Sequence, residues 1–107
     1  MEIDYPTGVQ EPQLRALWRL SFGDSEEFIA GFFASGYCPR HCRCAAENGN
    51  VAAALYWFDA EFRGQKFAYL YAVATDEGYR GQGLCRALLA FAEKELKKRG
   101  ADAVLLV

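Results

Sequence analysis

Seven consecutive residues, Arg80-Gly81-Gln82-Gly83-Leu84-Cys85-Arg86, combine the chemistry of an anion site. They lie between an apolar run ending at Thr75 and an amphipathic run that continues to Arg99. The first amides of a helix begun here have no partners within the helix. They face the turn, where the helix dipole adds partial positive charge. Gly81 and Gly83 carry no Cβ, so a bulky anion can approach the backbone. Arg80 and Arg86 flank the loop with full charges. Phosphate or pyrophosphate is the ligand that suits such a loop.

Two other phosphate motifs fail. A P-loop needs Lys and then Ser or Thr after its last glycine, whereas Leu84 and Cys85 follow Gly83. A dinucleotide fingerprint needs a third Gly or Ala where Arg86 stands. By spacing alone, the same glycines also serve as a plain tight turn. The cysteines offer a second chemistry: Cys38, Cys42 and Cys44 cluster around His41, the only histidine. Their C-x3-C-x-C spacing misses the usual zinc patterns, and no second ligand pair accompanies them. Reduced thiols are expected and no metal, with His41 on a surface loop. Glu47, Asp59 and Glu61 include carboxylates that could act as a base, but solvated turn charges are the simpler expectation. Tyr69 and Tyr71 could face an acceptor, yet aromatics on a central strand are usually core. The stripe Trp18, Phe22, Phe28, Phe32 and Phe33 has the spacing of helix core.

The elements that must position these residues follow from periodicity. Leu14, Leu17, Trp18 and Leu20 predict a helix over Glu11–Phe22, with Pro12 near its start. A second helix is expected from Asp24 to Ser35, with Asp24 as N-cap, Glu27 completing a capping box, and Phe28, Ile29, Phe32 and Phe33 as its apolar face. Arg43 to Glu47 forms a short strand. Asn48-Gly49 signals a hairpin into a strand over Val51–Phe58, and Arg63-Gly64-Gln65 a second turn. Lys66 to Thr75 is apolar on both faces: Phe67, Tyr69, Tyr71 and Val73 on one, Ala68, Leu70, Ala72 and Ala74 on the other. Such a strand should be central in its sheet. After the turn Asp76–Tyr79 and the glycine loop, a helix runs to about Arg99. Leu84, Leu88 and Phe91 line one side of it, with Leu89, Ala92 and Leu96 adjacent, and Gly100 is its C′ residue. Ala103 to Val107 is a final strand, joined by a crossover that makes a parallel pair. The fold class is α+β: N-terminal helices, an antiparallel meander, then one strand-helix-strand crossover in a mixed sheet.

The chain has 107 residues, which bounds it to a single domain, 1–107. Its 52% hydrophobic content is enough for a real core. A net charge of -2 gives no reason to expect nucleic acid. No apolar run spans a bilayer, and no signal peptide opens the chain. A cytoplasmic protein without membrane partners is expected.

Arg80-x-x-Gly83-x-Cys85 resembles the acetyl-CoA-binding signature of the GNAT N-acetyltransferases, Gln/Arg-x-x-Gly-x-Gly/Ala. The preceding strand Tyr69–Thr75, the turn through Tyr79 and the following Arg86-Ala87-Leu88-Leu89 match the family's context. Two helices followed by an antiparallel meander is also the family's order. The resemblance is specific from about Tyr69 to Gly100 and covers the whole chain in topology.

The resemblance implies that Arg80, Gly81, Gln82, Gly83, Leu84, Cys85 and Arg86 hold the CoA pyrophosphate. It implies that Val73, Ala74 and Thr75 pair with the pantetheine arm like an added strand. An amide near Val73 would polarise the thioester carbonyl, and the acceptor would be a small-molecule or peptide amine. Catalytic side chains are left unassigned. Two departures stand out. Cys85 occupies a place where the family prefers Gly or Ala; a helix N-terminus lowers a thiol pKa, but a small buried filler is the commoner fate. Family members also continue past the strand where this chain stops, and the further part often supplies a Tyr acid. The resemblance therefore implies a domain truncated at its C-terminus and poor activity of these residues alone. Competing expectations are a non-catalytic acyl-CoA-binding module and a half-domain that forms a homodimer through the edge of its last strand.

Overall fold

Helix α1 (Glu11–Phe22) buries Leu14, Leu17 and Trp18, as their helical spacing requires. Pro12 sits in its first turn, where an amide would have had no helical partner. Gly23 closes the helix at φ 69°, donating its N–H to the Arg19 carbonyl at 2.9 Å. The computed structural model describes residues 1–106. Val107, expected to end the last strand, lies outside the described residues.

The second helix departs from expectation at both ends. α2 covers only Glu26–Gly31, and its cap is Ser25, whose Oγ accepts the Phe28 N–H at 3.1 Å. Asp24 is occupied elsewhere: its Oδ2 accepts the Trp18 indole N–H at 2.8 Å. Beyond Gly31 the chain widens into a π-type turn over Phe32–Gly36, closed by Tyr37 N–H to the Phe32 carbonyl at 2.7 Å. The wider turn sets Phe32 against Trp18, with centroids 4.6 Å apart, and Phe33 against Tyr37, at 4.8 Å. Phe28 stays outside the core, 52% exposed.

Five strands form one sheet in the order β1 (Glu2–Asp4), β2 (Cys42–Glu47), β3 (Asn50–Phe62), β4 (Gln65–Thr75) and β5 (Ala103–Leu106). The first four are antiparallel neighbours and β5 runs parallel to β4. β1 carries no periodic signal. It becomes a strand only by pairing Glu2, Ile3 and Asp4 with Ala46, Ala45 and Cys44. Both hairpins turn through residue pairs of positive φ: Asn48 and Gly49 at 52° and 83°, Arg63 and Gly64 at 52° and 78°. Such pairs match the twist of the flanking strands. β3 continues past Phe58 to Phe62 and takes the middle place, with every residue from Ala52 to Trp57 buried. β4, expected to be central, is instead second from the edge of the sheet among the described residues, because only β5 lies beyond it.

Helices α1 and α2 cover one face of the sheet. α3 (Leu84–Lys98) crosses the other, burying Leu88, Ala92 and Leu96 against Leu55, Trp57, Ala68 and Leu70. Each large apolar group so buried stabilises by roughly 1.5–3 kcal/mol. Phe91 points off this face and is 42% exposed, contrary to its expected place in the stripe. The helix ends in a Schellman motif: Ala101 N–H reaches the Leu96 carbonyl and Gly100 N–H the Lys97 carbonyl, at 3.0 and 3.1 Å. Among the described residues no helix is long and apolar enough to cross a membrane.

One polar side chain is nearly sealed inside. Arg43, only 2% exposed, donates Nε to Glu95 Oε2 at 3.2 Å, Nη2 to Glu95 Oε1, and Nη1 to the Cys42 carbonyl at 3.0 Å. Its guanidinium lies over the Tyr5 ring, 3.3 Å from the centroid. The pair pins α3 to β2 and to the segment after β1. Removing one partner of a buried ion pair strands the other charge. Glu95→Ala is therefore expected to lose about 3 kcal/mol in urea unfolding. Arg99→Ala, which removes the half-exposed second partner of Glu95, should lose under about 1 kcal/mol. Equal losses would show that the sealed pair has no special weight.

Candidate functional site

The glycine loop lies at the N-terminus of α3, as the sequence requires, and two backbone facts make it unusual. Gly81 and Gly83 take φ of 83° and 74°, and a Cβ built on either meets no atom within 4 Å. Gly83 is also the N-cap, so no side chain caps this helix, and its first turn holds no acid. α2 differs in both respects, with Ser25 as cap and Glu26 and Glu27 in its first turn. The first bond across the start of α3 is Ala87 N–H to the Gly83 carbonyl at 3.0 Å. The amides of Leu84, Cys85 and Arg86 precede that bond and lie outside the helical ladder. Arg80 is held to the strand end by its Nε, which donates to the Thr75 carbonyl at 3.3 Å. Asp76 caps the intervening turn over Glu77–Tyr79, accepting the Gly78 N–H at 3.0 Å.

Beside the loop, β4 breaks its regular ladder. Ala54 pairs with Ala74 and Tyr56 with Tyr71, so Ala72 and Val73 together oppose the single residue Leu55. This is a β-bulge. Ala72 takes φ 52°, a left-handed conformation that costs an L-residue roughly 1–2 kcal/mol. The bulge also overturns the expected facing. Ala68 and Leu70 pack toward α3 and are joined there by Val73, while Tyr71, Ala72 and Ala74 pack on the α1 side. Period-two alternation cannot survive an inserted residue. On its other side, the described pairing of β4 with β5 ends at Leu70 opposite Leu106. The edge from Val73 to Thr75 is left beside the loop without a described strand partner.

These two features share one groove of about 840 Å³. It brings together Val73, Ala74 and Thr75 with Arg80, Gly81, Gly83, Leu84, Cys85 and Arg86. Gln82 alone of the expected set does not line it. Ser21 and Phe22 from the end of α1, with Tyr79 and Leu89, complete the wall. No local signal marks Ser21 or Tyr79. Leu89 was legible only as part of the helix stripe, and Phe22 as one of the aromatic residues at core spacing, although it is 42% exposed.

The remaining candidates separate from the groove. Cys42 and Cys44 lie in the core under α1 and α2. Burial pushes the Cys42 thiol upward, and it raises Cys44 to about 11. Among the described residues no group of three or more His, Cys, Asp and Glu side chains is placed to hold a metal. His41 is half-exposed and pairs with Asp59 at 3.3 Å. Tyr71 is half-buried, and desolvation raises its phenol. Tyr69 stacks on Phe58 at 5.0 Å. Cys85 is exposed, which removes the buried-filler reading of its place in the motif.

The fold is a mixed α+β sheet whose bulged strand leads into an uncapped, glycine-fronted helix. Residues 10–107 match the family model of the acetyltransferase (GNAT) family, and the chain belongs to that family. No curated protein matches it in sequence. Among solved structures, it is similar to YhbS, a GNAT family N-acetyltransferase from Escherichia coli in complex with CoA. That likeness has a TM-score of 0.82 at 24% identity, covering 99% of this chain and 61% of that one. It is also similar to a ribosomal-protein-alanine N-acetyltransferase from Brucella melitensis biovar Abortus 2308, with a TM-score of 0.78 at 15% identity over 99% and 79% of the two chains. An aminoglycoside acetyltransferase from an uncultured soil metagenomic sample, in complex with sisomicin, gives 0.69 at 18% identity over 99% and 76%. Likeness at such identity concerns the fold.

The thiols give a direct check of this arrangement. Iodoacetamide on the folded protein should modify Cys85 first and leave Cys42 and Cys44 unmodified until unfolding, as peptide mass spectrometry would read. Raising the Cys44 pKa from 9.0 to about 11 makes the native state bind more protons in that window. Stability should therefore fall as pH rises from about 9 toward 11. Early labelling of Cys44 at neutral pH would contradict the packing described.

Proposed function

We propose that this chain binds acetyl-CoA or another acyl-CoA along the groove and transfers the acyl group directly to an amine. The observation that carries the reading is the N-terminus of α3: an uncapped helix end behind two left-handed glycines, between Arg80 and Arg86. The amides of Gly81, Gln82, Gly83, Leu84 and Cys85 would donate to the pyrophosphate, and the two arginines would balance its charge. The edge of Val73, Ala74 and Thr75 would hydrogen-bond the pantetheine arm as an added strand.

The transfer step needs a donor where charge develops. An amide near Val73, freed from the β3 ladder by the bulge, would donate to the thioester carbonyl oxygen as negative charge builds there. A neutral amine adds to the carbonyl carbon. The adduct collapses with cleavage of the carbon–sulfur bond, and the sulfur leaves as the CoA thiolate. The proton lost by the amine passes to a base or through ordered water. The structural neighbours named for alanine N-acetylation and for aminoglycosides support an acceptor that is a peptide or small-molecule amine.

Replacing Gly83 tests the binding half of the reading. At φ 74° a β-branched residue is strained, and its side chain would project into the groove where the phosphates would lie. Gly83→Val is expected to weaken CoA binding by about 10-fold or more in calorimetry, a loss of about 1.4 kcal/mol. Equal affinity in the two proteins would sink the site assignment. Thiol release over a panel of amines then separates transfer from binding without turnover.

A further inference from the structure

A second concavity, of about 380 Å³, opens on the α3 face of the sheet at the other end of that helix. This is within the size range of small-molecule sites. Its floor is apolar: Trp57 and Leu96 are 3% and 6% exposed, and Ala101 packs with them. The His41 ring leans over the Trp57 indole, with centroids 5.7 Å apart, and its Nε2 lies 3.3 Å from Asp59 Oδ2. Asp59 and Glu61 follow Trp57 at spacing two, so all three share one face of β3. Glu61 stands directly opposite Lys66 of β4.

The charges are arranged by sign. Asp59, which also faces His41, and Glu61 make an acidic edge on β3, and Lys66 supplies a cation beside Glu61 on the neighbouring strand. Neither Glu61 nor Lys66 has an ion-pair partner among the described residues. Arg99, on the rim, is committed elsewhere: its guanidinium holds Glu95 at 3.0 Å and donates to the Tyr5 hydroxyl. A purely anionic ligand would meet two carboxylates here, and a purely cationic one would meet Lys66. A ligand with both charges and an apolar body meets a partner at every wall.

We propose that this cavity binds a zwitterionic small molecule, an α-amino acid with an apolar side chain. Its ammonium lies against Asp59 and Glu61, its carboxylate against Lys66, and its side chain on Trp57, Leu96 and Ala101. The site is separate from the glycine loop, so its occupant does not compete with the acyl donor.

The test is an NMR titration of the whole chain with L-leucine, L-methionine and L-phenylalanine, each to millimolar concentration. The Trp57 indole and His41 ring signals report the cavity, and the Trp18 indole is the internal control. Saturable shifts at Trp57 and His41 are expected with at least one of the three, with Trp18 unmoved. Isoamylamine and 4-methylpentanoate, which are leucine without its carboxylate and without its amine, should not saturate the site. Glu61→Gln and Lys66→Met should each weaken binding by about 5-fold, the scale of one exposed charge contact, and leave CoA affinity unchanged. Three results overturn the proposal: no saturable shift with any of the amino acids, isoamylamine binding as tightly as leucine, or both variants binding like the parent.

Discussion

The arrangement around the groove depends on two residues opposing one. At Leu55 the β3–β4 ladder takes both Ala72 and Val73, and everything beyond that point on β4 is shifted by one. Ala72 accepts a left-handed backbone to make this possible. The compensation is packing: the shift turns Val73 toward α3 and Ala74 toward α1. β4 thus serves two cores with one short stretch of chain. The bulge interrupts the regular ladder just before the strand runs into the turn that opens α3.

Helix α3 is finished at one end and open at the other. Its C-terminus has a Schellman closure at Gly100, the cationic residues Lys97 and Lys98 in its last turn, and the sealed Arg43–Glu95 pair one turn earlier. Its N-terminus has no capping side chain and no acid. Orphan amides at a helix start are usually answered by a cap, as Ser25 answers those of α2. At α3 the glycines instead leave the amides facing open space. The residues there are mostly solvent-exposed, so water can serve the first amides while the far end of the helix is held by packing and the buried ion pair.

Most of the architecture was readable along the chain. The bounds of α1 follow from Leu14, Leu17 and Trp18 with Pro12 and Gly23 at its ends, and both hairpins follow from Asn48-Gly49 and Arg63-Gly64. These are local effects: backbone sterics, capping and periodicity act within a few residues. The misreadings come from contacts that no local pattern encodes, near in sequence for Asp24 and Trp18 and far for the rest. Asp24 looks like a cap until the Trp18 indole takes its carboxylate. Phe28 and Phe91 look like core until the helices are rotated against a real sheet. Glu2–Asp4 shows no strand pattern because its hydrogen bonds come from Cys44–Ala46.

The candidate site divides along the same line. The loop Arg80–Arg86 announced itself, since glycines and arginines at the start of an amphipathic run act through the nearest amides, whatever the rest of the fold. The sequence by itself therefore determined the bounds of α1, the two hairpin turns, the crossover and the glycine turn that opens α3. Only the tertiary structure decided which way Val73 and Ala74 face, because an inserted residue resets alternation and is visible only in the partner strand's register. It alone brought Ser21, Phe22 and Tyr79 to the groove, exposed Cys85, and sealed Arg43 against Glu95, since each of these results from surfaces meeting across tens of residues.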